Sequence, residues 1–362
     1  MKDKYLMDTN KMMWHPDRVQ EFLDGKQIAP LHIDVGLSKG CNIRCHYCFG
    51  VLQGNFYKKG ADIYFPRKPL LNYMRSAGEC GVRSMGFIGE AEPTMNPHLY
   101  EAIDVATKSG IDVSLGTNGI LFDMGDKGRK ALEQLKWIRF NISAASDKAY
   151  RKLHGSKEFN KLIDVVKFCV KTKKDNDLPV TIGFQSVLTP QDIKEMVPLA
   201  NLGKELGIDY HVIKQCSDNQ DSDLGFYDRY GEYKTFTDFL KDAESVSSGN
   251  YDVIVKWKNI SSCGVKDYDN CMGMPFLLYS SGDGKLFGCG MFFDKKWWDE
   301  WLIGDLTKNT FKEIIHSDRY KKIVNKHANI DCHSFCYSEC RTNSINSYVW
   351  KLLHPPKHKN FV

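Results

Sequence analysis

The 362-residue chain has no apolar run near the ~18 residues that a membrane-spanning helix requires. Its opening residues, MKDKYLMDTN, are polar and lack the apolar core of a secretion signal. The formal net charge is only +5, and the basic blocks RYKK (319–322) and HPPKHK (354–359) are short and not interleaved with aromatics. Nucleic-acid binding is therefore not signalled. There is no low-complexity tract and no internal repeat, which excludes solenoids and disordered tails. No G-x-G-x-x-G follows a strand pattern and no Walker motif occurs, so no phosphate cradle of those kinds is present. What remains is a cytoplasmic globular protein, 42% apolar, long enough for one large domain and a smaller one.

What the chain has in quantity is cysteine, 12 residues in all. In a cytosolic setting such usage points to metal or redox chemistry rather than disulfides. Cys41, Cys45 and Cys48 form a tight C-x3-C-x2-C array. Cys263, Cys271, Cys289, Cys332, Cys336 and Cys340 crowd the last hundred residues. Cys80, Cys169 and Cys216 are scattered, and Cys169 lies on the apolar stripe of LIDVVKFCV as a small core residue. Zinc and structural iron–sulfur clusters take four ligands. Three tightly spaced thiols leave one coordination position open, the mark of a catalytic centre.

From 31 to 215 the pattern alternates short β-like runs with amphipathic helices. The runs are 31–37, 83–89, 111–117, 138–144, 180–188 and 209–215. The clearest helix follows Asn96, a candidate N-cap, and ends at Gly110. Six such units predict an α/β fold, a partial (β/α)6 TIM-type barrel, whose mouth lies at the C-terminal ends of its strands. The cysteine array follows the first strand and so falls at that mouth. Beyond 220 the pattern changes to a β-hairpin with a Gly-Asp-Gly turn, helical segments and the second cysteine group. The expected organisation is an N-terminal extension over 1–30, the barrel over 31–220, and a small C-terminal hairpin-plus-helix iron–sulfur domain over 221–362.

The segment CNIRCHYC, with Tyr47 as the aromatic before the third cysteine, resembles the signature of the radical S-adenosylmethionine (radical SAM) superfamily. That resemblance implies a [4Fe-4S] cluster on Cys41, Cys45 and Cys48. Its open iron would bind S-adenosylmethionine, and reductive cleavage would give a 5′-deoxyadenosyl radical that takes a hydrogen atom from substrate. FIGEAEPTMNP (87–97) resembles the family's G-x-G-E-P segment, with Ala91 in place of its second glycine. Gly89 and Glu92 are then cofactor-binding, Glu92 against the methionine ammonium. GTNG (116–119) resembles the segment lying along the cofactor and brings in Asn118. Ser143 and Gln185 fall where the family contacts the ribose or methionine moiety.

The C-x12-G-x4-C spacing of Cys271, Gly284 and Cys289 resembles the SPASM and twitch extensions of radical SAM enzymes, which hold auxiliary four-iron clusters. Six cysteines are too few for a full SPASM pair, so one auxiliary [4Fe-4S] cluster is expected. Cys271, Cys289 and Cys340 are its firmest ligands, and Cys263 or Cys336 supplies the fourth. A zinc site on Cys332, His333, Cys336 and Cys340 is the competing account, and it leaves the hairpin pair unexplained.

The tail INSYVWKLLHPPKHKNFV and the HPDRV segment (15–19) resemble bacterial radical SAM proteins encoded among sugar and cell-envelope functions. The resulting expectation is a small, carbohydrate-like substrate that is dehydrogenated or epimerised, with flavodoxin or ferredoxin as reductant. Cys216 is the candidate hydrogen donor for epimerisation, and Lys214 a base or a binder of a substrate anion. A ribosomal-peptide maturase is the alternative. The thirty residues before the barrel are too few for a leader-binding winged helix, which favours the small molecule. A non-catalytic electron carrier is the third class, disfavoured by the open triplet.

Overall fold

The computed structural model describes residues 4–48, 63–218, 224–337 and 339–361. All six expected strands form: β1 (His32–Val35), β2 (Ser84–Phe87), β3 (Asp112–Thr117), β4 (Leu135–Asn141), β5 (Thr181–Leu188) and β6 (Tyr210–Gln215). They pair in parallel and in sequence order. Outside them lie α2 (Arg67–Glu79), α3 (Leu99–Lys108), α4 (Asp126–Gln134), α5 (Asp147–His154), α6 (Phe159–Asp175) and α7 (Met196–Leu206), while α1 (Pro16–Leu23) precedes the barrel. The partial barrel is thus present, with its main core between strands and helices. Ile33, Val35, Ile138, Phe140, Ile182 and Phe184 on the strands meet Leu70, Ile103, Leu162 and Val166 on the helices, each wholly buried. Cys169 is among them, as its place on the apolar stripe predicts.

Two local differences have clear causes. The helix expected from Asn96 begins at Leu99. Asn96 instead donates its amide to the carbonyls of Leu37 (2.7 Å) and Phe65 (3.1 Å) and accepts from His98 N (2.8 Å). The segment 310–327, whose sequence TFKEIIHSDRYKKIVNKH reads as one helical stretch, is two helices, α11 (Phe311–Ile315) and α12 (Asp318–His327), because Ser317 caps the second and interrupts the first.

The sheet also extends beyond the six strands. After α8 (Thr237–Ser245), β7 (Asp252–Val255) pairs in parallel with β6 and leads into α9 (Trp257–Ser262). The expected hairpin forms from β8 (Leu277–Ser280) and β9 (Lys285–Phe287), with Gly284 in the left-handed region (φ 82°) that its turn requires. Its first strand does more than pair within the hairpin: β8 lies parallel to β1, Asp34 opposite Tyr279. With β10 (Gly304–Asp305) at the far edge, the order among the described residues is β10-β9-β8-β1-β2-β3-β4-β5-β6-β7. The WWDEW run packs around this hairpin, with Trp301 in α10 (Trp298–Trp301) stacked on Phe292 at 4.3 Å and Trp298 beside Phe287. The last helix, α13 (Asn343–Leu353), and the N-terminal extension close over Phe276 through Met12, Val19, Ile28 and Val349.

At the strand ends, three backbones stack without side chains between them. A Cβ at Gly89 would lie 2.2 Å from the Gly36 Cα, and one at Gly36 would lie 2.7 Å from the Gly282 N. Lys39 spans the same junction, 3.7 Å from Glu90 and 3.6 Å from Asp283, and Gly282 N donates to Glu90 at 3.2 Å. Burial pushes the Glu90 carboxyl up to about 7 despite Lys39. Gly89→Ala is therefore expected to cost about 1–3 kcal/mol of stability. Chemical denaturation measures this, and an unchanged midpoint at unchanged slope would contradict the close packing.

Candidate active site

The loop that leaves β1 carries Cys41, Cys45 and Cys48 onto the C-terminal end of α5. Arg44 N donates to His154 O and His46 N to Leu153 O, both at 3.0 Å. Gly155, at φ 60°, lets the Arg44 carbonyl approach where a Cβ would sit 2.9 Å away. Cys48 N closes on Cys45 O at 3.0 Å.

The three thiols share one low-dielectric environment. Burial first, and then the charge of Glu92, push Cys41 up to about 12; burial and the two neighbouring cysteines push Cys45 well above the ordinary thiol range. Such thiols ionise only beside a strong Lewis acid, and iron is one. Among the described residues no three His, Cys, Asp or Glu side chains converge on a single metal-ion position. A multi-iron cluster, whose ligands stand further apart, suits the triplet better than one zinc.

Around this triplet, Asn118 donates its amide to Asn42 Oδ1 (2.7 Å) and reaches Cys41 Sγ (3.7 Å). Tyr47 is buried with its hydroxyl 3.2 Å from Ser143 Oγ; the Ser143 hydroxyl accepts from Val187 N (3.1 Å) and lies 3.2 Å from Val187 O. Ser143 is wholly buried and ties β4 to β5. Gln185 faces the lumen, held by Asn141 Oδ1 at 3.0 Å. Glu92 is buried with both oxygens engaged. Thr94 N (3.0 Å), Thr94 Oγ1 (2.6 Å) and Thr117 Oγ1 (2.5 Å) donate to one, and Asn118 N (2.7 Å) to the other. An ammonium held by Glu92 would share these oxygens, so removing the carboxylate would also release the GTNG segment.

Cys216 lies in the same region, 1% exposed, packed with Tyr47 and Phe226 beside Cys45. Its sulfur lies 3.9 Å from Tyr47 O. Lys214, two residues earlier on β6, is half-buried and shares the lumen face of that strand.

Sequence reasoning missed His154. Its Nδ1 stands 3.1 Å from Cys45 Sγ, and its Nε2 accepts from Ser143 N at 2.9 Å. A ring nitrogen that accepts carries no proton, so the hydrogen of this neutral imidazole is on Nδ1 and points at the sulfur. Tyr150 stacks on the ring at 4.4 Å and holds its plane. An N–H donated to a ligating sulfur favours the reduced cluster.

In the C-terminal region, Cys271, Cys289, Cys332, Cys336 and Cys340 act on one another electrostatically. Burial pushes Cys271 up to about 12 and Cys289 well beyond its usual range. Asn346 reaches Cys271 Sγ at 3.9 Å and Thr342 Oγ1 meets Cys340 Sγ at 3.1 Å. Cys263 caps α9 in the left-handed region (φ 49°) with its sulfur on Ile260 O at 3.6 Å. His333 is exposed and turned to Asp269, away from a zinc site with Cys332, Cys336 and Cys340.

A barrel mouth with three coupled thiols, and a second thiol group whose first two members flank an added hairpin, defines an iron–sulfur enzyme with an open catalytic cluster. The profile of the radical SAM superfamily matches residues 35–200, and that of an iron–sulfur cluster-binding domain, SPASM, matches residues 271–341. The chain belongs to the radical SAM superfamily and carries a SPASM domain; its cofactors are S-adenosylmethionine, a [4Fe-4S] cluster and auxiliary cluster iron. The cysteine-type anaerobic sulfatase-maturating enzyme of Clostridium perfringens is 23% identical over 321 residues, covering 79% of this chain and 80% of that protein. The AdoMet-dependent heme synthase of Methanosarcina barkeri is 22% identical over 308 residues, covering 79% and 82%. The chain spans about half the length, or less, of the GTP 3′,8-cyclases it also matches. In fold it is similar to Streptococcus suis SuiB bound to the precursor peptide SuiA, with a TM-score of 0.61 and 14% identity over 88% of this chain and 72% of SuiB. No helix among the described residues is long and apolar enough to cross a membrane.

Two outcomes test this geometry. His154→Phe keeps the stacked ring and removes the N–H. Its catalytic cluster is expected to have a lower midpoint potential, each ~59 mV changing the reduced-to-oxidised ratio tenfold. Pulsed EPR of protein labelled with 15N-histidine is expected to show a coupling that the variant loses; an unchanged potential and no coupling in the parent protein would contradict the hydrogen bond. For the auxiliary centre, Cys289→Ala is expected to lose about four irons per chain and Cys263→Ala none, read by iron analysis and Mössbauer spectroscopy; loss in Cys263→Ala would make it the fourth ligand in place of Cys336.

Proposed function

We propose that this radical SAM enzyme is a maturase that oxidises a side chain of a peptide or protein substrate. The observation that carries this reading is the end-to-end match, barrel and cluster domain together, to a protein named as a sulfatase-maturating enzyme. The SuiB fold, seen with its precursor peptide, is in keeping with it. The carbohydrate-like substrate expected from the tail motifs finds no counterpart among these relatives. A small-molecule substrate stays as the second reading because the heme synthase match is equally long.

Bound S-adenosylmethionine and its cluster would supply the hydrogen-abstracting radical. The chain's own part is to hold the substrate carbon in the lumen, exclude water there and conduct an electron away. Cys41, Cys45 and Cys48 would hold the catalytic cluster; Cys271, Cys289, Cys336 and Cys340 would hold the electron acceptor. Loss of a hydrogen atom, then of one electron and one proton, oxidises the substrate by two electrons. We favour oxidation over epimerisation because Cys216, the expected hydrogen donor, is buried in a cluster with Tyr47 and Phe226. Flavodoxin or ferredoxin is the proposed reductant.

The test is anaerobic turnover of the reconstituted enzyme with S-adenosylmethionine, a reductant, and either the peptide or the small-metabolite fraction of the host. Stimulation of 5′-deoxyadenosine release by the peptide fraction is expected, with full activity kept in Cys216→Ala. Stimulation by small metabolites alone would overturn the maturase reading. Solvent deuterium entering the product carbon would overturn oxidation in favour of epimerisation.

A further inference from the structure

We propose that the barrel lumen holds an anionic oxyacid group of the substrate, a carboxylate or a phosphate, between Arg139, Lys214, Lys256 and Arg341. The inference deepens the function proposed above and rests on the same lumen, but not on the substrate being a peptide.

Strand alternation places the first two cations. Along β4, Ile138 and Phe140 are wholly buried in the core beneath the helices, so Arg139 between them points to the opposite face, into the barrel. Along β6, Ile213 belongs to that core, while Tyr210 and Val212 form a separate small cluster with Ile254 of β7. Lys214 continues the face of Tyr210 and Val212. Lys256 lies two residues past Ile254, just beyond β7.

Arg341 arrives from the other side. It follows Cys340, and its Nε donates to Asp34 Oδ2 at 3.1 Å. Asp34 faces the lumen between Ile33 and Val35, and its second oxygen is taken by His32 Nε2 at 2.8 Å. The segment bearing Arg341 is anchored across the mouth: Ser217 Oγ donates to Glu339 O, and Asn259 Nδ2 to Glu339 Oε1, each at 3.1 Å.

These side chains face one another. Lys256 is repelled by Lys214, Arg341 and Arg139 and attracted by Glu339; burial is the largest influence on it, and its ammonium is pushed down to about 8. Arg139 is repelled by Arg341 and attracted by Asp34 and Tyr210, and its buried Nε has no hydrogen-bond partner. Among the described residues neither lysine has a carboxylate within ion-pair distance. Among the described residues, the carboxylates that act on these four cations are Asp34 and Glu339. Like charges gathered in a partly desolvated chamber repel. A fold that keeps them there is arranged for a ligand of opposite sign. Arg and Lys together suit oxyanions, the first by its planar fork and the second as a point charge.

The test uses the reconstituted holoenzyme without reductant, saturated with S-adenosylmethionine so that the cofactor's own carboxylate is already accommodated. Glutarate and inorganic pyrophosphate are titrated separately by calorimetry, into the millimolar range. At least one is expected to bind saturably, and Lys214→Ala and Lys256→Ala are each expected to weaken it tenfold or more. Lys136→Ala, an exposed lysine on the start of β4, is expected to leave it unchanged. Preference for glutarate supports the site as a receptor for a peptide carboxylate. Preference for pyrophosphate supports the site and counts against the peptide reading, which the turnover assay decides separately. If neither probe binds, or both lumen variants bind like the parent protein, the inference is overturned.

Discussion

The parallel pairing of β8 with β1 is the contact on which the rest of the molecule depends. β1 delivers the cysteine loop to the barrel mouth, and β8 begins the hairpin between Cys271 and Cys289. Because the two strands share hydrogen bonds, the loops that follow β1 and flank the hairpin, with their thiols, are carried by one sheet. Gly36, Gly89 and Gly282 make that junction close enough that no side chain fits between the backbones. Arg341 and Asp34 add a second tie, from the residue after Cys340 to β1 itself. Electron transfer between clusters and placement of a substrate between them both require such fixed geometry.

The chemistry of the mouth follows from burial. Burial makes the Cys41 and Cys45 thiols resist ionisation, so iron would have to displace their protons on loading. Around them the polar groups are almost all spoken for. Glu92 organises the ends of β2 and β3, Ser143 joins β4 to β5, and His154 directs its hydrogen at Cys45. The pocket is therefore stiff before cofactor arrives, and the groups left without carboxylate partners among the described residues, Lys214 and Lys256, lie at the same C-terminal end of the strands.

Much of this was legible in the sequence, for identifiable reasons. Each of the six strands is a short apolar run with turn residues beside it, and Cys41, Cys45 and Cys48 are close enough in the chain for spacing alone to reveal them. The hairpin announced itself through Gly-Asp-Gly. What pattern could not supply was contact between distant segments. His154 sits in an ordinary amphipathic helix, 109 positions from the cysteine it touches. β8 reads as half of an antiparallel hairpin, and nothing local says that its other edge will take β1. β7 is four residues long and borders a polar stretch, so it offers little periodicity. The substrate was the least legible feature: the tail motifs pointed to sugar chemistry, whereas the long relatives are named as a sulfatase-maturating enzyme and a heme synthase, and the lumen charges come from four separated segments.

The most direct test of this account is native-state hydrogen exchange of the reconstituted protein, read amide by amide across β1 and β8. If one sheet carries both cluster regions, the paired amides of Leu278 and Ser280 will exchange with the same opening free energy as those of Ile33 and Val35. Exchange of β8 at markedly lower free energy, while β1 stays protected, would mean that the hairpin opens independently, and the account of a single rigid frame for the two clusters would be wrong.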